Sequence, residues 1–166
     1  MTFVDLDPTA LKATSICTLV LLLKWYASIT VQGDTRFKAG SRAPEDAAFG
    51  GRMGAENVEQ SFGLTSAAST DASNQAEKMR ELRWQRIIMN DLENIPLGLI
   101  IAWSSLVTPK SPLVHTVSVV TFAVMRILHT ITYARGLQPH RSIVWMLALT
   151  ATLVMAVNGV VGALSM

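Results

Sequence analysis

One stretch of the chain carries charged and amide side chains at helical spacing. Arg83, Arg86, Asn90 and Glu93 are three, four and three positions apart, so they would share one face of a helix. Arginine binds carboxylates in a bidentate manner, and a carboxylate such as Glu93 can hold an amine. These residue types suit a small zwitterion with more than one carboxylate.

A second stretch has the same character. Arg126, His129, Thr130 and Tyr133 follow one another at spacings of three, one and three, which again gives one helical stripe. Further polar or aromatic residues stand at the nearby segment ends: Lys24, Arg36, Arg141, Ser142 and Trp145. Ionisable groups inside apolar segments are costly and usually mark function.

Each of these residues also has a purely structural interpretation. A single interfacial arginine is often a snorkelling anchor, and we interpret Arg135 in that way. Glu93 could form a structural ion pair with Arg126 or Arg86, and His129 alone could be a hydrogen-bonded bundle histidine. The convergence of two stripes at one depth favours a binding site.

The segments that position these residues are long and apolar. The chain has 166 residues, of which 50% are hydrophobic and only 16% charged. The apolar residues concentrate in segments 11–31, 87–107, 113–133 and 143–164, and about 20 helical residues span a bilayer core. We therefore predict an all-α, integral membrane four-helix bundle that forms a single domain over residues 1–166. The predicted helices cover about residues 11–32, 77–107, 113–134 and 142–164.

The basic residues predict the orientation. Most lie between the first and second segments or between the third and fourth, namely Arg36, Lys38, Arg42, Arg52, Lys78, Arg80, Arg83, Arg135 and Arg141. The positive-inside rule places both loops in the cytoplasm. Both polar stripes would then lie at the cytoplasmic ends of their helices, and both termini would face the lumen or the outside.

The loop at residues 33–76 is the irregular part of the chain. We expect an ordered turn at Pro44 to Asp46, followed by a flexible insertion over residues 49–76, which are rich in small and polar residues. The three histidines lack paired ligand spacing, so we expect no metal site. Four membrane segments also argue against nucleic-acid binding.

These motifs resemble the family of membrane-associated proteins in eicosanoid and glutathione metabolism, in particular microsomal glutathione transferases and microsomal prostaglandin E synthase. The resemblance rests mainly on residues 81–94, ELRWQRIIMNDLEN, and residues 126–133, RILHTITY. Residues 24–36, 44–46 and 139–142 also fit in the same order. It covers nearly the whole chain apart from the insertion.

The resemblance implies a homotrimer that binds glutathione between neighbouring subunits on the cytoplasmic side. The implied catalytic residues are Arg141, as the cationic partner of the thiolate, and Ser142, as a hydroxyl donor to the same sulfur. The implied glutathione-binding residues are Arg36, Arg86, Asn90, Glu93, Arg126, His129, Tyr133 and Trp145. Asp46 matches an acid near the site.

The resemblance also implies an activity. We expect a glutathione transferase with peroxidase activity that acts on a lipophilic or lipid substrate in the endoplasmic reticulum or another endomembrane. Met89 and Ile88 replace basic residues of the prostaglandin synthase branch, which favours the transferase branch. Trp145 stands where a tyrosine is common in the family, and the turn at residues 134–138 is short.

Two alternative functions remain open from the sequence. They are a glutathione-dependent isomerase of a lipid endoperoxide and a non-catalytic lipid-binding scaffold.

Overall fold

The computed structural model describes residues 6–64 and 72–166, and it confirms an all-helical chain with no strand in those ranges. Four α-helices follow one another: α1 (Pro8–Lys38), α2 (Ala72–Val107), α3 (Pro112–Ala134) and α4 (His140–Leu164). A 3-10 helix, Pro44–Met53, lies between α1 and α2. The chain divides into two compact units, whereas a single domain is predicted from the sequence. The first comprises the chain up to Trp25 together with Asn90–Met166, and the second comprises Tyr26–Met89.

The first two helices are longer than predicted. The side chain of Asp7 caps α1, since its Oδ1 accepts from the Ala10 amide at 2.8 Å. The same helix continues past the predicted end at residue 32 to Lys38, whose Nζ donates to Asp34 Oδ2 at 2.9 Å one turn earlier. Helix α2 begins at Ala72 rather than residue 77, so it absorbs the last residues of the predicted insertion.

Among the residues that the structure describes, three helices, α1, α3 and α4, are long and apolar enough to cross a membrane. Helix α2 does not meet that description, although the sequence predicts four crossings. The reason lies in its composition, because the polar residues from Asn90 to Asn94 stand in the middle of the helix and leave only the part from Ile95 to Val107 continuously apolar.

The core of the first unit draws residues from all four helices. Its buried members are Cys17, Leu21, Ile95, Ala102, Val119, Phe122, Ala123, Ala148, Ala151 and Met155. Small residues let the helices approach one another, as expected for helices packed in a membrane. A Cβ added at Gly98 would lie 2.2 Å from Phe122 Cζ, and one at Gly162 would lie 1.9 Å from the Thr108 carbonyl oxygen.

The connections within this unit are hydrogen-bonded. Asn158 on α4 holds the turn between α2 and α3, where its Oδ1 accepts from the Ser111 amide at 3.0 Å and its Nδ2 donates to the Ser111 carbonyl at 3.1 Å. Helix α3 ends in a Schellman motif, with Gly136 at a φ of 69° and the Leu137 amide donating to Thr132 O at 2.9 Å. Because α3 ends so tightly, the short turn at residues 134–138 is enough to connect it to α4.

The second unit orders much of the loop for which the sequence predicts flexibility. Gln60 is buried, and its amide donates to the Phe37 carbonyl at 2.9 Å and accepts from the Arg42 amide at 3.1 Å. The hydroxyl of Ser41 donates to Glu81 on α2 at 2.7 Å. The predicted turn at Pro44 to Asp46 opens the 3-10 helix. The middle of the predicted insertion, residues 65–71, lies outside the described residues.

Candidate functional site

A buried ion network joins three helices of the first unit. Asp91 on α2 is fully buried and contacts two basic side chains. Its Oδ2 accepts from Lys24 on α1, and its Oδ1 accepts from Arg126 Nη2 on α3 at 2.6 Å. Arg126 Nη2 also lies 2.8 Å from Asn90 Oδ1. This network brings the two predicted stripes together through Asn90 and Arg126.

The network leaves polar atoms without partners. Arg126 is fully buried, yet its Nε and Nη1 have no hydrogen-bond partner among the described residues. The same holds for His129 Nδ1 and Thr130 Oγ1, three and four positions further along α3. Buried polar groups are normally hydrogen-bonded. One carboxylate also faces two basic side chains here, so the region is suited to a polar ligand that carries negative charge.

The α3 stripe continues toward the start of α4. The rings of His129 and Tyr133 meet edge to face, with 5.7 Å between their centroids. The guanidinium of Arg141 lies over the Tyr133 ring, with 4.4 Å between Cζ and the ring centroid, which is a cation–π contact. His129, Tyr133 and Arg141 therefore form one line of contacts that joins α3 to α4.

Gln138 joins the two predicted catalytic residues. Its amide lies between Arg141 and Ser142, at the start of α4. In the orientation that satisfies both neighbours, its oxygen accepts from Arg141 Nε and Nη2 at 3.1 and 2.5 Å, and its nitrogen lies 3.2 Å from Ser142 Oγ. Arg141 is half-buried, whereas Ser142 is exposed. Trp145, one turn further along α4, is also exposed, so its surface is open to a ligand or a neighbouring chain.

The α2 stripe behaves differently from its prediction. Only Asn90 joins the ion network, whereas Arg86 and Glu93 are exposed. The structural pairing of Glu93 with Arg126 or Arg86 is wrong within the part of the chain that the structure describes, because Arg126 pairs with Asp91. The stripe lies on one helix, and two of its four members are exposed.

Arg36 and Asp46 are predicted residues that, like Arg86, belong to the second unit. Arg36 Nη2 donates to the Ser41 carbonyl at 3.3 Å, which ties the end of α1 to the loop that follows. Asp46, the predicted acid near the site, forms an ion pair with Arg42 at 2.8 Å between Oδ2 and Nε. Each residue therefore has a local contact in its own unit.

Sequence reasoning left three residues of this region out of the predicted site. Lys24 and Asp91 are polar residues of the predicted helices, and Gln138 lies in the turn before α4. A signal for Asp91 does exist, since Ile88, Asp91, Ile95 and Gly98 repeat at spacings of three, four and three and all are buried. That repeat marks the packed face of α2, and it places Asp91 in the bundle rather than on the polar stripe.

The region has two neighbouring groups of side chains with different chemical uses. The buried guanidinium of Arg126 adds positive charge that favours an anionic group nearby. Arg141, beside the Ser142 hydroxyl, can stabilise a developing anion such as a thiolate. No pair of nucleophile and base is needed for such a site, because the ligand can itself supply the nucleophile.

Comparison with known proteins gives one match. The sequence model of the MAPEG family matches residues 13–161, which is nearly the whole chain. No curated protein matches the chain closely enough to serve as a relative.

Proposed function

The chain belongs to the MAPEG family, and from this premise we propose that it is a membrane-bound glutathione transferase. It would activate the glutathione thiolate for attack on lipophilic electrophiles and would also reduce lipid hydroperoxides as a glutathione peroxidase. The family includes glutathione transferases, prostaglandin E synthases and other members. The choice among these depends on the residues around Arg141.

The observation that carries the proposal is the double support of the Arg141 guanidinium. The Tyr133 ring lies beneath it and the Gln138 amide accepts from its edge, beside Ser142. A cationic side chain held in this way costs little further entropy when it binds a charged group. A scaffold that only binds lipid would not require a fixed arginine and a hydroxyl together at the start of α4.

The residues fit glutathione as the thiol substrate. It carries two carboxylates, an amine and a thiol, and it supplies the nucleophilic sulfur of the reaction. The exposed carboxylate of Glu93 suits the amine. The buried guanidinium of Arg126, whose Nε and Nη1 have no partner among the described residues, would add positive charge that favours the carboxylates. Further contacts would come from the remaining family positions, namely Arg36, Arg86, Asn90, His129, Tyr133 and Trp145.

The role of Arg141 follows from thiol chemistry. A free thiol has a pKa of about 8.5 and is mostly protonated at neutral pH. An adjacent arginine lowers that value by stabilising the thiolate, and a shift of two pKa units corresponds to about 2.7 kcal/mol. A charge-assisted contact to Arg141 with a hydrogen bond from Ser142 is of this order.

The exposed polar stripe of α2 supports assembly as a homotrimer, with glutathione bound between subunits. Arg86 and Glu93 are exposed in the single chain, and charged groups at membrane depth need partners. A neighbouring subunit would enclose them, and α2 would then cross the membrane as a fourth helix. The topology would keep both polar stripes at the cytoplasmic face of an endomembrane such as the endoplasmic reticulum.

The test is a glutathione titration of the purified protein in detergent, followed by the ultraviolet difference absorbance of the thiolate. We expect a saturable thiolate signal at neutral pH that is lost in Arg141→Ala. The matched control is Arg135→Ala, which removes an exposed arginine six residues earlier and should keep the signal.

Other outcomes would decide between the alternatives. A thiolate signal with turnover of a lipid endoperoxide but none of an aryl halide would favour the isomerase. No signal, together with no glutathione binding by calorimetry, would favour the lipid-binding scaffold. A signal retained at full strength in Arg141→Ala would remove that arginine from the catalytic role.

A further inference from the structure

A cavity of about 280 Å³ lies between α1 and α2 in the first unit. Leu21, Leu22 and Trp25 line it from α1, and Leu92, Ile95 and Pro96 line it from α2. Leu21 and Ile95 are buried at its floor, whereas Leu22 and Leu92 are exposed at its rim. Its size is close to that of small-ligand sites, which begin at about 300 Å³.

The hydroxyl and the carboxylate that line this cavity, on Thr18 and Asp91, already have hydrogen-bond partners. Thr18 Oγ1 donates to the Thr14 carbonyl at 2.8 Å and accepts from Trp103 Nε1 at 3.1 Å. Both carboxylate oxygens of Asp91 are engaged, by Lys24 and by Arg126. A polar occupant would lose its own hydrogen bonds to water without gaining equivalent ones here. The cavity therefore suits a hydrocarbon occupant.

Pro96, a proline inside α2, lines this cavity. It has no amide hydrogen, so the Leu92 carbonyl lacks its usual donor four residues later. Both residues line the cavity. A proline in the interior of a helix is also a common cause of a kink, and this proline stands in the cavity wall.

The cavity is separate from the region around Arg141. Helices α2 and α3 run antiparallel, because Asp91 contacts Arg126 while Ser105, further along α2, contacts His115, earlier on α3. From the level of Asp91, the cavity extends toward Leu99, whereas α3 extends the opposite way to Tyr133. Tyr133 is seven residues beyond Arg126, which corresponds to about 10 Å of helix. An occupant confined to the cavity would therefore not touch the Arg141 guanidinium.

The geometry points to this cavity as a binding site for one hydrocarbon chain of a membrane lipid, away from the Arg141 guanidinium. The bilayer is the source, since α1 is apolar and long enough to span it and the rim residues Leu22 and Leu92 are exposed on the outer surface of the helices. The inference does not depend on glutathione chemistry, so it would hold for a non-catalytic member of the family as well.

The experiment is photolabelling of the whole protein in lipid nanodiscs with a long-chain fatty acid that carries a diazirine near its methyl end. Labelled peptides are mapped by mass spectrometry, with and without excess unlabelled fatty acid. Leu22→Trp places a large ring at the rim of the cavity. Leu19→Trp is the matched control, because Leu19 is an exposed leucine of the same helix that does not line the cavity.

We expect competable labelling of residues 18–25 and 91–99 in the wild type and in Leu19→Trp, and its loss in Leu22→Trp. The labelling could instead spread evenly over the exposed helix faces and be unchanged by competitor or by Leu22→Trp. That result would show that lipid does not bind specifically in the cavity, and it would overturn the inference. Cross-links from these residues to a second chain, without lipid labelling, would show that another copy fills the groove, which also overturns it.

Discussion

Arg126 and Asp91 form an ion pair in which both side chains are fully buried, with 2.6 Å between Nη2 and Oδ1. Lys24 contacts the other carboxylate oxygen, so a single acid serves two basic residues from two other helices. Buried pairs of this kind contribute modestly when intact but are costly to break, because the remaining charge is left without compensation. The three side chains therefore connect α1, α2 and α3 at this depth.

Asp91→Ala should destabilise the protein by about 3–5 kcal/mol, because Lys24 and Arg126 would remain buried without their carboxylate. Thermal or denaturant unfolding in detergent measures the change. Glu93→Ala is the matched control, since Glu93 is an exposed acid two residues further along the same helix. Equal stability losses in the two variants would contradict the central position of Asp91.

Glu93→Gln should weaken glutathione binding by about tenfold, which corresponds to a loss of about 1.4 kcal/mol of charged interaction with the amine. Stability should be unchanged, because the side chain is exposed in the single chain. Isothermal calorimetry with glutathione and with a glutathione analogue that lacks the amine provides the measurement. If the wild type and Glu93→Gln bind glutathione and the analogue equally well, Glu93 does not contact the amine.

Gln138→Ala should lower turnover by about tenfold, or about 1.4 kcal/mol in activation free energy, because Arg141 and Ser142 lose their shared support. As a positioning residue, Gln138 should mainly affect kcat and shift the glutathione pH–rate profile to higher pH, with little change in KM. Gln138→Asn keeps the amide but shortens it, and we expect partial activity. A variant that changes KM alone would indicate a binding contact instead.

Gly98→Ala should destabilise the bundle by about 1–3 kcal/mol, because the added Cβ must displace a buried ring in a packed core. The contact involved is the 2.2 Å approach to Phe122 Cζ. Gly33→Ala is the control, since nothing lies within 4 Å of its added Cβ, and that change should stabilise α1 by about 0.5–1 kcal/mol. Comparable melting temperatures for the two variants would argue against the close approach of α2 and α3.

Particular residues show how far sequence reasoning reached. The shared helix face of His129 and Tyr133 could be predicted, because spacing along one helix decides which side chains share a face. The contact of Tyr133 with Arg141 joins two helices and depends on the turn between them. The partner of Arg126 could not be predicted with the same certainty. Asp91 and Glu93 are two positions apart, and only the rotation of α2 in the bundle decides which of them is buried beside the guanidinium. The role of Gln138 depends on a turn whose geometry has no periodic signal.

The sequence by itself determined the apolar segments, their helical character and the two polar stripes, because these follow from hydropathy and from the period of the helix. The tertiary structure decided which acid neutralises Arg126, which polar atoms remain without partners and where a cavity opens between α1 and α2. These features depend on helix rotation, on the space around Pro96 and on close approach at glycines such as Gly98. They arise from packing between segments far apart in the chain, which local periodicity does not encode.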